Sequence, residues 1–140
     1  MTGDERKAAV LGRLQPAPFW DHLGCELVDA GEGTASVRLA PRPEFGRSGG
    51  MGDGTLHGGV VSSLIDATAS CALITLLTVE EGRTTIDLSV HFLAAAQGTL
   101  LATATVRRRG GRTAVIDSEV FSAGGELVAI GRATFAILRR

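Results

Sequence analysis

The chain has 140 residues, 44% of them hydrophobic, so it is long enough for one domain with a real core and too apolar for a disordered segment. Fourteen basic residues face 15 acidic ones for a formal net charge of -1, which argues against a general basic surface for nucleic acid. Cys25 and Cys71 stand far apart with no CxxC spacing. They suggest neither a zinc site nor a disulfide framework and read as small buried residues.

The first residues mix acids and bases and lack the apolar core of a signal peptide. Residues 4–14 predict a short helix, ended by the Pro16 and Pro18 breaker, and residues 19–23 a further helical turn. We treat 1–23 as an N-terminal helical segment of a single domain spanning 1–140. Residues 26–30 and 34–39, joined through Gly31-Glu32-Gly33, predict a β-hairpin. A Gly- and Pro-rich loop fills 41–55, a length that is uncommon inside a compact domain and often functional.

A long apolar helix follows, starting at the His57-Gly58-Gly59 step and running to about residue 77 or 78, with Gly82 as a stop signal. The stretch has the length of a membrane span. Asp66 and five Ser or Thr residues interrupt it, and an ionised group at mid-bilayer is costly, so a buried helix and a cytoplasmic protein with no membrane partner fit better. After it the hydrophobic period changes to two: Ile86, Leu88, Val90 and Phe92 alternate with Thr85, Asp87, Ser89 and His91. Three more strands fit 99–107, 112–121 and 126–138. The last two look apolar on much of both faces, which predicts a sheet covered by the helix on one side and by another subunit on the other. The fold class is α+β, one buried helix against an antiparallel sheet.

Asp66 is the anomaly. An unpaired buried carboxylate costs several kcal/mol or more, so it must be hydrogen-bonded or face a wet cleft. Its neighbours one helical turn away, Ser62, Ser63, Ala69 and Ser70, form a stripe of small, mostly polar residues, and no Lys or Arg lies within the helix. We expect a cleft there. At the other end, Gly58 and Gly59 expose helix-start N–H groups that a carbonyl can approach closely and that would polarise it.

His57 and Asp66 are nine residues apart, about 13–14 Å along a helix axis and roughly 180° around it. They cannot serve one small reacting group within one chain. Either they are unrelated, or the site takes the helix start from one subunit and the aspartate from another, which requires a two-fold dimer.

The segments LHGGVVSSLIDATA, TTIDLSVHFLAAA and RRRGGRTAVIDSEVFSAGGELVAIGRATFAIL resemble the hotdog-fold acyl-CoA thioesterases of the PaaI-like, phenylacetate-pathway type over residues 20–138. The resemblance rests most on the HGG-x6-D spacing from His57 to Asp66. It implies a long central helix wrapped by a curved antiparallel sheet, paired into homodimers with shared sites and usually into dimers of dimers. Asp66 would be the nucleophile or general base for thioester hydrolysis. The Gly58 N–H would bind the thioester carbonyl, and His57 would hold that end of the site. Thr85, or Thr84 by a one-residue slip, would place the attacking water or the carboxylate. The substrate would be an acyl-CoA with a small-to-medium or aromatic acyl group, with no cofactor beyond the coenzyme A it carries.

Gly59, Ser62, Ser63 and Ser70 are candidate substrate contacts, and Arg109 and Arg112 candidates for the coenzyme A phosphates. The resemblance departs at Met51. Related proteins often carry Asn or Gln there, and a thioether accepts only weakly and donates nothing. Either Arg47, Ser48 or Asp53 takes that task, or activity is reduced. The competing readings are a non-catalytic acyl-CoA-binding protein and a hydratase or dehydratase of the same fold.

Overall fold

A computed structural model describes residues 1–49 and 52–140; Met51 therefore lies outside the described residues. Helix α1 (Gly3–Leu14) opens with a capping box, in which Thr2 and Glu5 satisfy each other's backbone N–H groups. A short helix α2 (Pro18–Leu23) follows, with proline at its first position. Strands β1 (Cys25–Gly31) and β2 (Thr34–Leu39) form the expected hairpin. The long loop is not slack. It makes a 3-10 turn at Pro43–Phe45 and returns on itself through a Gly46–Leu56 bridge.

The long helix α3 (Gly58–Ile74) buries Val61, Leu64, Ile65, Thr68, Ala69 and Cys71 to Ile74. It ends earlier than its apolar run suggests because Thr75 intervenes. The Thr75 hydroxyl donates to the Ala72 carbonyl at 2.7 Å and accepts from the Gly33 N–H at 2.8 Å, which draws the chain off the helix and onto the β1–β2 turn. Strands β3 (Glu81–Phe92), β4 (Leu100–Arg109), β5 (Thr113–Phe121) and β6 (Leu127–Arg139) complete one antiparallel sheet in the order β1-β2-β4-β5-β6-β3. Gly82, taken from sequence as a stop, lies inside β3.

Bulges interrupt four of the five strand pairings and bend the sheet around α3. Helix and sheet approach closely at Gly131, where a Cβ atom would stand 2.9 Å from the Ile65 Cγ2. A long central helix wrapped by a curved antiparallel sheet is the hotdog arrangement.

The opposite face of the sheet differs from the sequence expectation. The outward positions of β5 and β6 include Asp117, Glu119, Arg132 and Thr134 beside Val115 and Ile130. Arg132 holds Asp117 through two hydrogen bonds of 2.7 and 3.0 Å. Alternation, obscured in the sequence by small residues such as Ala129 and Ala133, puts the apolar set inside.

Strand β3 is an edge, paired only to β6. Ile86 is 58% exposed, Phe92 56% and Leu93 53%, so the flank of this edge is an uncovered apolar strip. No helix among the described residues is long and apolar enough to cross a membrane.

Candidate active site

Asp66 is half-buried on α3, and its Oδ1 accepts a hydrogen bond of 2.7 Å from the Thr85 hydroxyl. The bond exists because β3 is bulged. Thr85 pairs with Phe135 and Asp87 with Thr134, so Ile86 is an extra, unpaired residue. Cross-strand partners share a face, and Phe135 faces the helix; Thr85 therefore faces it too, together with Leu88 and Val90. Strict alternation would have put Thr85 on the opposite face from these residues. The bulge also removes the ambiguity between Thr84 and Thr85, since Thr84 pairs with the outward Ala136.

One turn further along α3, Ser70 accepts a hydrogen bond of 2.6 Å from the Arg83 Nε. Arg83 pairs with the buried Ile137, hence on the same inward face as Thr85. Two rungs thus tie α3 to β3, Asp66 to Thr85 and Ser70 to Arg83. They line one cleft of about 340 Å³ together with Leu14, Trp20 and Phe135. Arg83 was not singled out in the sequence. No local signal marked it, since strict alternation from Leu88 and Val90 puts Arg83, like Thr85, on the polar face. Burial lowers the Arg83 pKa, while the Asp66 carboxylate works in the opposite direction.

The helix start forms a second cleft of about 390 Å³, lined by Arg47, Leu56, Gly58, Val61 and Phe92 to Ala96. His57 is the N-cap residue: its Nδ1 accepts from the Gly59 N–H at 2.8 Å, and its own N–H donates to the Phe45 carbonyl at 2.7 Å. Gly59 is thereby used internally. Gly58, the first helical residue, has no intrahelical acceptor for its N–H, and that N–H has no other partner among the described residues. A Cβ on Gly58 would stand 3.2 Å from the Phe92 ring, so the bare backbone is what this corner accommodates. The two clefts share no lining residue.

The remaining candidates fall elsewhere. Ser62 and Ser63 are half-buried on α3 and line neither cleft. Arg109 is not free for a phosphate: its guanidinium donates to buried Glu81 and, at 2.6 Å, to the Gly110 carbonyl. Glu81 also receives the Thr78 N–H at 3.0 Å and faces Arg139 at 3.3 Å, and these donors, Arg109 first, lower its pKa. Arg112 is exposed beside the β4–β5 turn and lines neither cleft. In the long loop, Asp53 accepts from Arg47 at 2.5 Å and from the Thr55 N–H at 2.8 Å, which lowers its pKa, the backbone bond most.

Burial pushes the Cys25 thiol up to about 11 and the Cys71 thiol up to about 12, so neither is a ready nucleophile. No group of three His, Cys, Asp or Glu side chains among the described residues is placed to hold a metal ion.

The sequence profile described as the thioesterase superfamily matches residues 53–129, more than half of the chain and the whole of α3 and β3. The chain belongs to the thioesterase superfamily. A provisionally named esterase of Halobacterium salinarum is 31% identical over 99% of both chains. The PaaI protein of Escherichia coli, from the phenylacetic acid degradation operon, superimposes with a TM-score of 0.85 at 22% identity, over 99% of this chain and 96% of that one. A thioesterase family protein of Silicibacter pomeroyi reaches 0.87 at 22% identity, over 96% of this chain and 99% of that one. At these identities the two structures establish the hotdog fold. Superfamily membership makes this thioesterase a hydrolase.

Proposed function

We propose that this thioesterase hydrolyses acyl-CoA thioesters at sites shared between two copies of the chain, with Asp66 from one copy and the Gly58 N–H from the other. The observation that carries the reading is the placement of Asp66 and Gly58 in separate clefts at opposite ends of the same edge strand. Thr85 of β3 bonds Asp66, and Phe92 of β3 packs over Gly58. An antiparallel pairing of β3 with its copy, centred on Ser89 and with Ile86 again left unpaired, sets the partner's Phe92 opposite Thr85 on the same face. The partner's Gly58 then approaches Asp66, and the apolar strip at Ile86 and Phe92 is covered.

In that arrangement the thioester carbonyl accepts from the Gly58 N–H, helped by the α3 dipole, as negative charge develops on its oxygen. Thr85 occupies Asp66 Oδ1 and leaves Oδ2 free. The free oxygen either takes a proton from an attacking water or attacks the carbonyl carbon, giving a mixed anhydride that water then opens. Both routes expel the coenzyme A thiolate and yield the free acid. A dimer of dimers and cytoplasmic placement belong to the same reading.

The test is thiol release from a panel of aliphatic and aromatic acyl-CoA thioesters by wild type, Asp66→Asn and Asp66→Ala. Loss of about 10²–10⁴-fold in kcat is expected for both variants. Tight binding of acyl-CoA by the wild type without any thiol release would replace this reading with a non-catalytic acyl-CoA-binding protein, the role that Met51 in place of Asn favours.

A further inference from the structure

The Ser70–Arg83 rung leaves a charge without a counter-ion. Arg83 is half-buried, its Nε is spent on Ser70, and its two terminal amino groups have no hydrogen-bond or ion-pair partner among the described residues. A partly desolvated guanidinium without an anion is costly, and Asp66, the nearest acid of the cleft, is not within ion-pair distance of it. Arg13 and Arg140 add positive charge on the same side and depress the Arg83 pKa further. Beside the polar groups of Asp66, Ser70, Arg83, Thr84 and Thr85, the cleft has an apolar wall of Leu14, Trp20 and Phe135 against which an acyl chain can pack.

We infer that Arg83 is a specificity-determining residue that pairs with a carboxylate at the far end of the acyl chain bound beside Asp66. This rests on the proposed acyl-CoA reading and narrows it to thioesters of dicarboxylic acids. The spacing sets the length. Arg83 and Thr85 are two residues apart on one strand face, about 6.6 Å, and Ser70 lies one helical turn from Asp66, about 6 Å. An acyl chain of about five or six carbons, extended, covers that span from the carbonyl to the guanidinium. The Ser70 hydroxyl fixes Nε, so the terminal nitrogens are held ready for a forked contact.

The test compares adipoyl-CoA with hexanoyl-CoA, equal in length and differing in the terminal carboxylate, on wild type, Arg83→Met and Arg83→Lys. Wild type should prefer adipoyl-CoA in kcat/KM by about tenfold to a hundredfold, mostly through KM. Arg83→Met should abolish or invert that ratio, and Arg83→Lys should restore part of it, since it keeps the charge and loses the fork.

Asp66→Asn protein, with and without Arg83→Met, supplies a second readout: calorimetric Kd values for the two thioesters. Arg83-dependent preference for adipoyl-CoA in binding, with no hydrolysis of either thioester by wild type, would keep the Arg83 assignment and sink the hydrolysis reading. Equal kcat/KM for both thioesters in wild type, or equal losses on both in Arg83→Met, would overturn the Arg83 assignment and leave hydrolysis standing. Failure to bind either thioester would overturn both.

Discussion

The Thr85 hydroxyl donates to the Asp66 Oδ1 at 2.7 Å across the gap between the central helix and the edge strand. This bond fixes which carboxylate oxygen is free and where it points. Thr85→Val removes the donor with little change of volume. It should lower kcat about tenfold with a smaller effect on KM, while Thr85→Ser keeps the donor and most of the rate. Steady-state kinetics on one acyl-CoA substrate reads the difference. A Thr85→Val enzyme with wild-type kcat would remove Thr85 from the site.

Gly58 offers a substitution that deletes a single N–H. Proline is favoured at the first helical position, and His57 before it, at φ -60° and ψ 139°, already has the conformation that precedes proline. Gly58→Pro should fold, with the exposed Phe92 ring giving way. It should lose about 10²–10³-fold in kcat through loss of the oxyanion donor. Equimolar subunit exchange with Asp66→Ala chains should then recover roughly a quarter of wild-type activity, because half the dimers are mixed and each carries one intact site. Zero recovery after mass spectrometry has confirmed exchange would overturn the shared site.

The apolar edge of β3 should be the dimer contact. Ile86→Lys adds a charge to the bulge, a device that blocks edge pairing. The expected product is a folded monomer by light scattering, with hydrolysis lost although Asp66, Thr85 and Gly58 are untouched. A dimeric, active Ile86→Lys protein would move the interface elsewhere.

Glu81 ties β3 to Arg109, Arg139 and the Thr78 N–H, and these partners hold its pKa below the ordinary range. A depressed folded-state pKa gives stability that is present above the unfolded value, near 4.3, and is lost as pH falls through the folded one. Thermal melts should therefore show wild type losing Tm below about pH 5. The gap between wild type and Glu81→Gln should be widest at neutral pH and close on acidification. A gap that stayed constant with pH would show that Glu81 acts by packing alone.

Helix and sheet approach each other closely at Gly131. An added methyl would meet the Ile65 Cγ2 at 2.9 Å and the Ser89 carbonyl at 3.2 Å, neither of which is a flexible chain end. Gly131→Ala should destabilise by about 1–3 kcal/mol in urea unfolding. A neutral result would mean that α3 can shift outward without cost.

Much of this molecule is written in local patterns. Apolar runs bounded by turn residues marked the long helix and the strands, and a period of two marked the strand after the helix, because burial of a face imposes a pattern on the residues that form it. The His57-Gly58-Gly59 step marked the helix start, because orphan N–H groups need a cap and glycine leaves them open. Asp66 stood out because a carboxylate in an apolar helix must be compensated. The separation of Gly58 from Asp66 also followed from helix geometry alone.

Other features are decided by contacts distant in sequence. The end of α3 depends on Thr75 bonding back to Gly33, and the occupation of Arg109 depends on Glu81, 28 residues away. The facing of Thr85 depends on a bulge at Ile86, which period-two reading inverts because one unpaired residue shifts every later side chain. Arg83 drew no reading from the sequence; the fold set its Nε against Ser70 and left its terminal amino groups without a partner among the described residues, in the cleft of Asp66. Local sequence determined which groups carry the chemistry, through burial and backbone valence; the tertiary structure decided which of them meet, because register and curvature are properties of the whole sheet.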